Sequence, residues 1–184
     1  MDPKLSIDTP RARHYLEVVR SGLRWASLYK TGILGIKKML RGNATATIDD
    51  KGRFKLPSHF RAYIEETWGS DFYVTSFEGE SVQIYPLPIW QEIEERLAKL
   101  PSQNPTRQKF VDRTMYFGQL TSLDKSGRVL IPALIRDSAK MTGEVAVLGQ
   151  LTFLDIWNHE RFKTRLKDQA VTHVDKETLS QLGI

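Results

Sequence analysis

The string IDDKGRFKLP, Ile48 to Pro57, returns seventy-five positions later as LDKSGRVLIP, Leu123 to Pro132. Asp49 then matches Asp124, Gly52 matches Gly127, Arg53 matches Arg128, Pro57 matches Pro132 and Arg61 matches Arg136. Apolar positions follow the same offset: Ile48 with Leu123, Phe54 with Val129, Leu56 with Ile131, Phe60 with Ile135. A repeat of this kind restricts the fold, because each copy is one supersecondary unit. A unit of about 45 residues buries too little apolar surface to stand alone. The two copies are therefore expected to complete one another's sheet.

Each copy reads physically as a β-hairpin. TATI and FKLP are short β-prone runs on either side of an Asp-Asp-Lys-Gly turn. Gly supplies positive φ there, and Asp hydrogen-bonds turn backbone. Strand alternation puts Phe54 and Leu56 on one face and Arg53 and Lys55 on the other. Pro57 suits the first turn of a helix, with Phe60 and Ile64 on its buried side. Copy two repeats this with Pro132, Ile135 and Ala139. A second strand pair follows in each: DFYVTSFEGESVQIYP, and EVAVLGQLTFLDIW with Gly149 expected in its bend. A helix closes each copy. Trp90, Ile93, Leu97 and Leu100 form the stripe of the first, and Asn158 is the expected N-cap of the second, with Phe162 and Leu166 on its stripe. PSQNPTRQK, 101–109, reads as a linker, and FVDRTMYFG as a short helix into copy two. The fold class expected is α+β, mainly β.

Charge has to be located before it is used. The chain of 184 residues carries a net charge of +5. Residues 1–38 hold eight Lys/Arg and three Asp/Glu, which leaves nineteen of each for 39–184. The body is neutral, so bulk attraction to nucleic acid is not its argument. Leu16, Val19, Leu23 and Ala26 have helical spacing within the basic segment. Three readings of it stay open: a DNA or membrane-surface arm, a disordered tail, or upstream codons before a true start at Met39. No run approaches the length of a membrane span. Without cysteine there is no disulfide or thiolate metal site.

The two Asp-x-x-x-Arg segments, each followed by an apolar-Pro pair and a helix reaching an Arg, resemble the SpoVT-AbrB superfamily. Two copies in tandem resemble the MraZ family, as do MLRG at 39–42, YPLPIW at 85–90, NPTRQKFVDR at 104–113 and VLGQLTFLDIW at 147–157. The resemblance covers about residues 39–170, by these motifs. It implies a swapped-hairpin AbrB-like barrel with peripheral helices. The expected organisation is an N-terminal extension (1–38), repeat one (43–90), helix and linker (91–118), repeat two (119–162), and C-terminal helix and tail (163–184). It further implies a bacterial transcriptional regulator, cytoplasmic and nucleoid-associated. Such a protein forms homo-oligomeric rings and binds short direct repeats of double-stranded DNA. The promoter implied is that of the division and cell-wall genes, its own operon included.

The residues expected at DNA are Arg53, Arg128, Lys51, Lys55, Lys125 and Arg41. Arg pairs bidentately with guanine and Lys with phosphate. For Arg53 and Arg128 a second reading stands beside this one, an ion pair with the aspartate four residues earlier that fixes the turn. Arg61 and Arg136 divide evenly between intramolecular pairing and DNA. Asp49, Gly52, Pro57, Asp124, Gly127 and Pro132 are read as structural. No catalytic site, cofactor or metal is expected: His14, His59, His159 and His173 are scattered, and no phosphate loop or nucleophile motif occurs. The rival is an oligomeric interaction scaffold or antitoxin-like module of the same fold.

Overall fold

The computed structural model describes residues 39–184, and the expectations for residues 1–38 lie outside the described residues. Copy one runs β1 (Asn43–Ile48), β2 (Arg53–Lys55), α1 (Ser58–Trp68), β3 (Asp71–Thr75), β4 (Val82–Pro86) and α2 (Leu87–Ala98). After α3 (Pro105–Tyr116) the order recurs as β5 (Gln119–Ser122), β6 (Arg128–Leu130), α4 (Ala133–Ser138), β7 (Gly143–Gln150), β8 (Phe153–Asn158) and α5 (His159–Asp168). α6 (His173–Gln181) follows. Among the described residues no helix is long and apolar enough to cross a membrane.

The eight strands form one antiparallel sheet in the order β5-β3-β4-β8-β7-β1-β2-β6. Its first strands are exchanged. β1 pairs along its whole length with β7 of copy two, from Asn43↔Leu148 to Ile48↔Gly143. It meets its own β2 only at Ile48↔Phe54. β5 in turn pairs with β3 of copy one, from Asp71↔Ser122 to Val74↔Gln119. β2 and β6 then pair with each other. The ends of the sheet approach at the second turn, where the Asp124 N–H donates to the Arg128 carbonyl at 2.9 Å. The result is a nearly closed swapped-hairpin barrel with helices around it, in keeping with the repeat.

Burial follows the repeat residue by residue. Phe54, Leu56, Phe60 and Ile64 are buried, and so are Val129, Ile131, Ile135 and Ala139. Phe54 and Val129 are matched positions that also face each other in register, so a pseudo-two-fold axis passes between them. Fully burying a Val, Leu, Ile or Phe side chain stabilises by about 1.5–3 kcal/mol, and copy one supplies four of these and copy two three, with Ala139 as the eighth buried position. The closing helices dock through aromatics: Trp90 of α2 stacks on Tyr73 at 4.2 Å, and Phe162 of α5 lies 5.7 Å from Trp157. Asn158 caps α5 by accepting from the Arg161 N–H.

Some local expectations are corrected. Gly149 is not in a bend. It sits in β7, and a Cβ there would meet the Leu40 and Arg41 backbone at 2.8 Å, so it is the crossing of a second stretch of chain that requires glycine. The hairpin turn is at Leu151, with φ 65. The expected linker is half helix: α3 starts at Pro105, and the Asn104 side chain accepts from the Thr106 and Arg107 N–H groups. Pro57 and Pro132 precede their helices as N-caps instead of occupying the first turn. α4 is shorter than α1 because Lys140 takes φ 52 and the Met141 N–H returns to the Arg136 carbonyl, sending Met141 into the core. The stripe of α2 is only partly buried. Trp90 is core, whereas Ile93 and Leu97 line a shallow groove with Leu100 and Phe110. Leu166 of α5 is exposed.

Because β1 and β5 each find their long partner in the other copy, neither copy should fold alone. Residues 39–104 and 105–184, made separately, should show no cooperative thermal transition and should regain the native circular dichroism spectrum when mixed. A cooperative transition in either fragment by itself would contradict the exchange.

Candidate nucleic-acid interface

Each repeated string folds into the same turn, built around its aspartate. Asp49 Oδ1 accepts from the backbone N–H groups of Lys51 (3.0 Å) and Arg53 (2.8 Å). Its Oδ2 takes Arg53 Nε at 3.0 Å and Nη2 at 2.9 Å. In copy two, Asp124 Oδ1 accepts from Ser126 N (2.8 Å) and Arg128 N (2.9 Å), and Oδ2 from Arg128 Nε (2.8 Å). Gly52 and Gly127 close the turns at φ 78 and 73, the left-handed region that glycine enters without penalty. The Arg53 N–H holds the Asp49 carboxyl below its usual value, and the Arg53 guanidinium adds to this. Arg128 does the same for Asp124. The ion-pair reading of both arginines is therefore realised. Each arginine side chain remains about one-third exposed, at 30% and 33%.

The turns are also joined across the copies. The Ile131 N–H donates to the Gly52 carbonyl at 2.9 Å, and the Leu56 N–H to the Gly127 carbonyl at 3.0 Å. A Cβ on Gly52 would run into the guanidinium of Arg136, and one on Gly127 into that of Arg61. The helix arginine of each copy thus lies over the turn of the other. Arg61 is further held by Glu65, at 3.1 Å and 3.3 Å. The repeat displays these arginines, but sequence alone does not say that they cross. The one signal in the sequence is the equal spacing from glycine to arginine in both copies.

Between the turns, β2 and β6 make a ribbon in the register Arg53↔Leu130, Phe54↔Val129, Lys55↔Arg128. Phe54 and Val129 face the core with no exposure. The alternating residues Arg53, Lys55, Arg128 and Leu130 face outward. Lys51 and Lys125 stand exposed on the two turns. The structure thus gathers Lys51, Arg53, Lys55, Lys125 and Arg128 along one ribbon and its ends. Beside it a shallow depression is lined by Thr45, Thr47, Lys55, Ser58 and Arg61. Arg41 stands apart, at the opposite end of β1 from the turn and near the Leu40↔Leu151 bridge. Lys55 directly opposite Arg128 is a like-charge pair, which taken alone weakens the ribbon.

Asp49 and Asp124 have folded-state pKa values below the unfolded value, so their contribution to stability is present above about pH 4 and is lost as pH falls through the folded value. Asp49→Asn with Asp124→Asn should flatten the dependence of thermal midpoint on pH below 4, and an unchanged slope would count against the paired turns. Gly52→Ala should destabilise by more than about 1 kcal/mol in chemical denaturation, because alanine at positive φ is strained and Arg136 is displaced. A neutral result would contradict the crossing.

The sequence model of a family described as "MraZ protein", and as antitoxin-like, matches residues 39–113 and 119–181. A protein named "Transcriptional regulator MraZ" from Koribacter versatilis is 46% identical over 147 residues, covering 79% of this chain and 100% of the relative. One of the same name from Acidobacterium capsulatum is 42% identical over 146 residues, again 79% and 100%. One from Chromobacterium violaceum is 29% identical over 143 residues, covering 78% and 95%. These relatives are named as regulators, not as enzymes.

Proposed function

Because the chain belongs to the MraZ family, we propose that it regulates transcription by binding double-stranded DNA through the outer face of the β2/β6 ribbon. One observation carries this. Arg53, Lys55 and Arg128 alternate outward on a ribbon whose other face is the barrel core, with Lys51 and Lys125 at its ends. A two-stranded ribbon is a known way into a DNA groove. Lysines at the ends suit phosphates, which position the protein, and the arginines suit guanine edges. The aspartates hold the Arg53 and Arg128 planes in fixed orientations, which lowers the entropy cost of meeting a base.

The neutral body cannot hold DNA by bulk charge. Several ribbons on one particle can, because linked weak sites raise one another's effective concentration. We therefore read the protein as a homo-oligomeric ring, with the α2 groove of Ile93, Leu97 and Leu100 as part of the contact between copies. Its target on this reading is a set of short direct repeats upstream of division and cell-wall genes, its own operon among them, and its place is the cytoplasm at the nucleoid.

The test is a mobility shift with the gene's own upstream DNA against a scrambled competitor. Lys51→Ala, Lys55→Ala and Lys125→Ala combined should weaken specific retention at least tenfold without changing the thermal midpoint, since none of the three belongs to the ion pairs that hold the turns. The slope of log affinity against log salt should fall by about 0.9 for each phosphate that the variant leaves unneutralised. Retention by the triple variant equal to wild type would overturn the ribbon as the DNA surface.

A further inference from the structure

The outer face of the ribbon is not the same at its two ends. The seventy-five-residue offset sets Lys55 against Leu130 and His59 against Leu134. Register converts that difference into geometry. At one end an arginine stands opposite a lysine, Arg128↔Lys55, and at the other an arginine stands opposite a leucine, Arg53↔Leu130. Leu130 is 41% exposed, and Leu134 in the first turn of α4 is 45% exposed. The barrel core is supplied by Phe54 and Val129 on the other face, so Leu130 is not needed there.

We propose that Leu130 is a specificity-determining contact to a thymine methyl group, and that it fixes the direction in which the ribbon lies on its site. This rests on the DNA-binding reading above. The thymine C5-methyl is the apolar group that a base pair displays in the major groove. An exposed leucine among cations fits a partner that is anionic along its edges and apolar at one place between them. A second copy meeting this face would bring Arg53, Lys55 and Arg128 against their own kind, which is repulsive. A ribbon with two equivalent ends would read a site equally in both directions. An end where two cations face each other and an end where a cation faces a leucine select a single orientation, as sites in direct repeat require and sites in palindrome do not.

The experiment uses the full chain and a DNA fragment holding the site found by footprinting. Each dT is replaced singly by deoxyuridine, which removes only the methyl. Wild type should lose roughly fourfold in affinity at one or two positions, the value of one buried methyl-sized group. Leu130→Lys, which places the copy-one residue at that end, should be indifferent to uracil at those positions and should bind the site and its reversed form about equally. Leu130→Ala should be indifferent to uracil while keeping the thermal midpoint of wild type. A flat uracil profile for wild type, or the same profile for wild type and Leu130→Lys, would overturn the inference. A smaller particle mass for Leu130→Lys with an unchanged uracil profile would also overturn it and assign Leu130 to contact between copies. Wild type that binds no DNA specifically would overturn both readings at once, whereas binding with a flat profile overturns only this one.

Discussion

The Gly52 carbonyl receives the Ile131 N–H and the Gly127 carbonyl receives the Leu56 N–H, so each repeated turn is anchored in the strand of the other copy. Much follows from these two hydrogen bonds. At both glycines the space a Cβ would take is filled by the guanidinium of the other copy's helix arginine. The two hydrogen bonds set β2 beside β6 with Phe54 against Val129, which fixes the faces of the ribbon. They also bring α1 of one copy and α4 of the other to opposite turns, so that Arg61 and Arg136 lie across the junction.

On the DNA-binding reading proposed above, the same turns carry both the structural and the recognition demands. Asp49 and Asp124 satisfy turn N–H groups and also hold the guanidinium of Arg53 or Arg128. Exposed ion pairs of this kind contribute little to stability on their own. Their effect is orientation. The carboxylates offset part of the positive charge of the ribbon, which leaves Lys51, Lys55 and Lys125 as cations outside these pairs. On the DNA-binding reading proposed above, long-range attraction rests on the lysines, and the arginines act at short range, where planarity and two donors matter.

How much of this was legible in the sequence depends on the range of the interaction. The offset between Asp49 and Asp124 was enough to give the repeat, the turn chemistry and the buried positions Phe54, Leu56, Val129 and Ile131. Those features are local, and alternation or turn preference encodes them. The role of Gly149 was not legible, because the chain it makes room for is Leu40 and Arg41, more than a hundred residues away. Nor was the crossing of Arg61 and Arg136, since both options for them use the same residue type at the same spacing. Asn104-Pro105 did carry a helix-start signal, an N-cap followed by proline at the first position, although its surroundings read as linker. Leu130 stands at the offset of Lys55, so alternation already turns it outward, and only the register showed that it faces Arg53.

Hydrogen–deuterium exchange of the full chain with and without its upstream DNA tests the central claim most directly. Protection on DNA binding should appear together in residues 49–56 and 124–131, the two turns and the ribbon they enclose. Protection of only one of these windows, or of α2 and α3 in place of both, would contradict DNA binding through the ribbon.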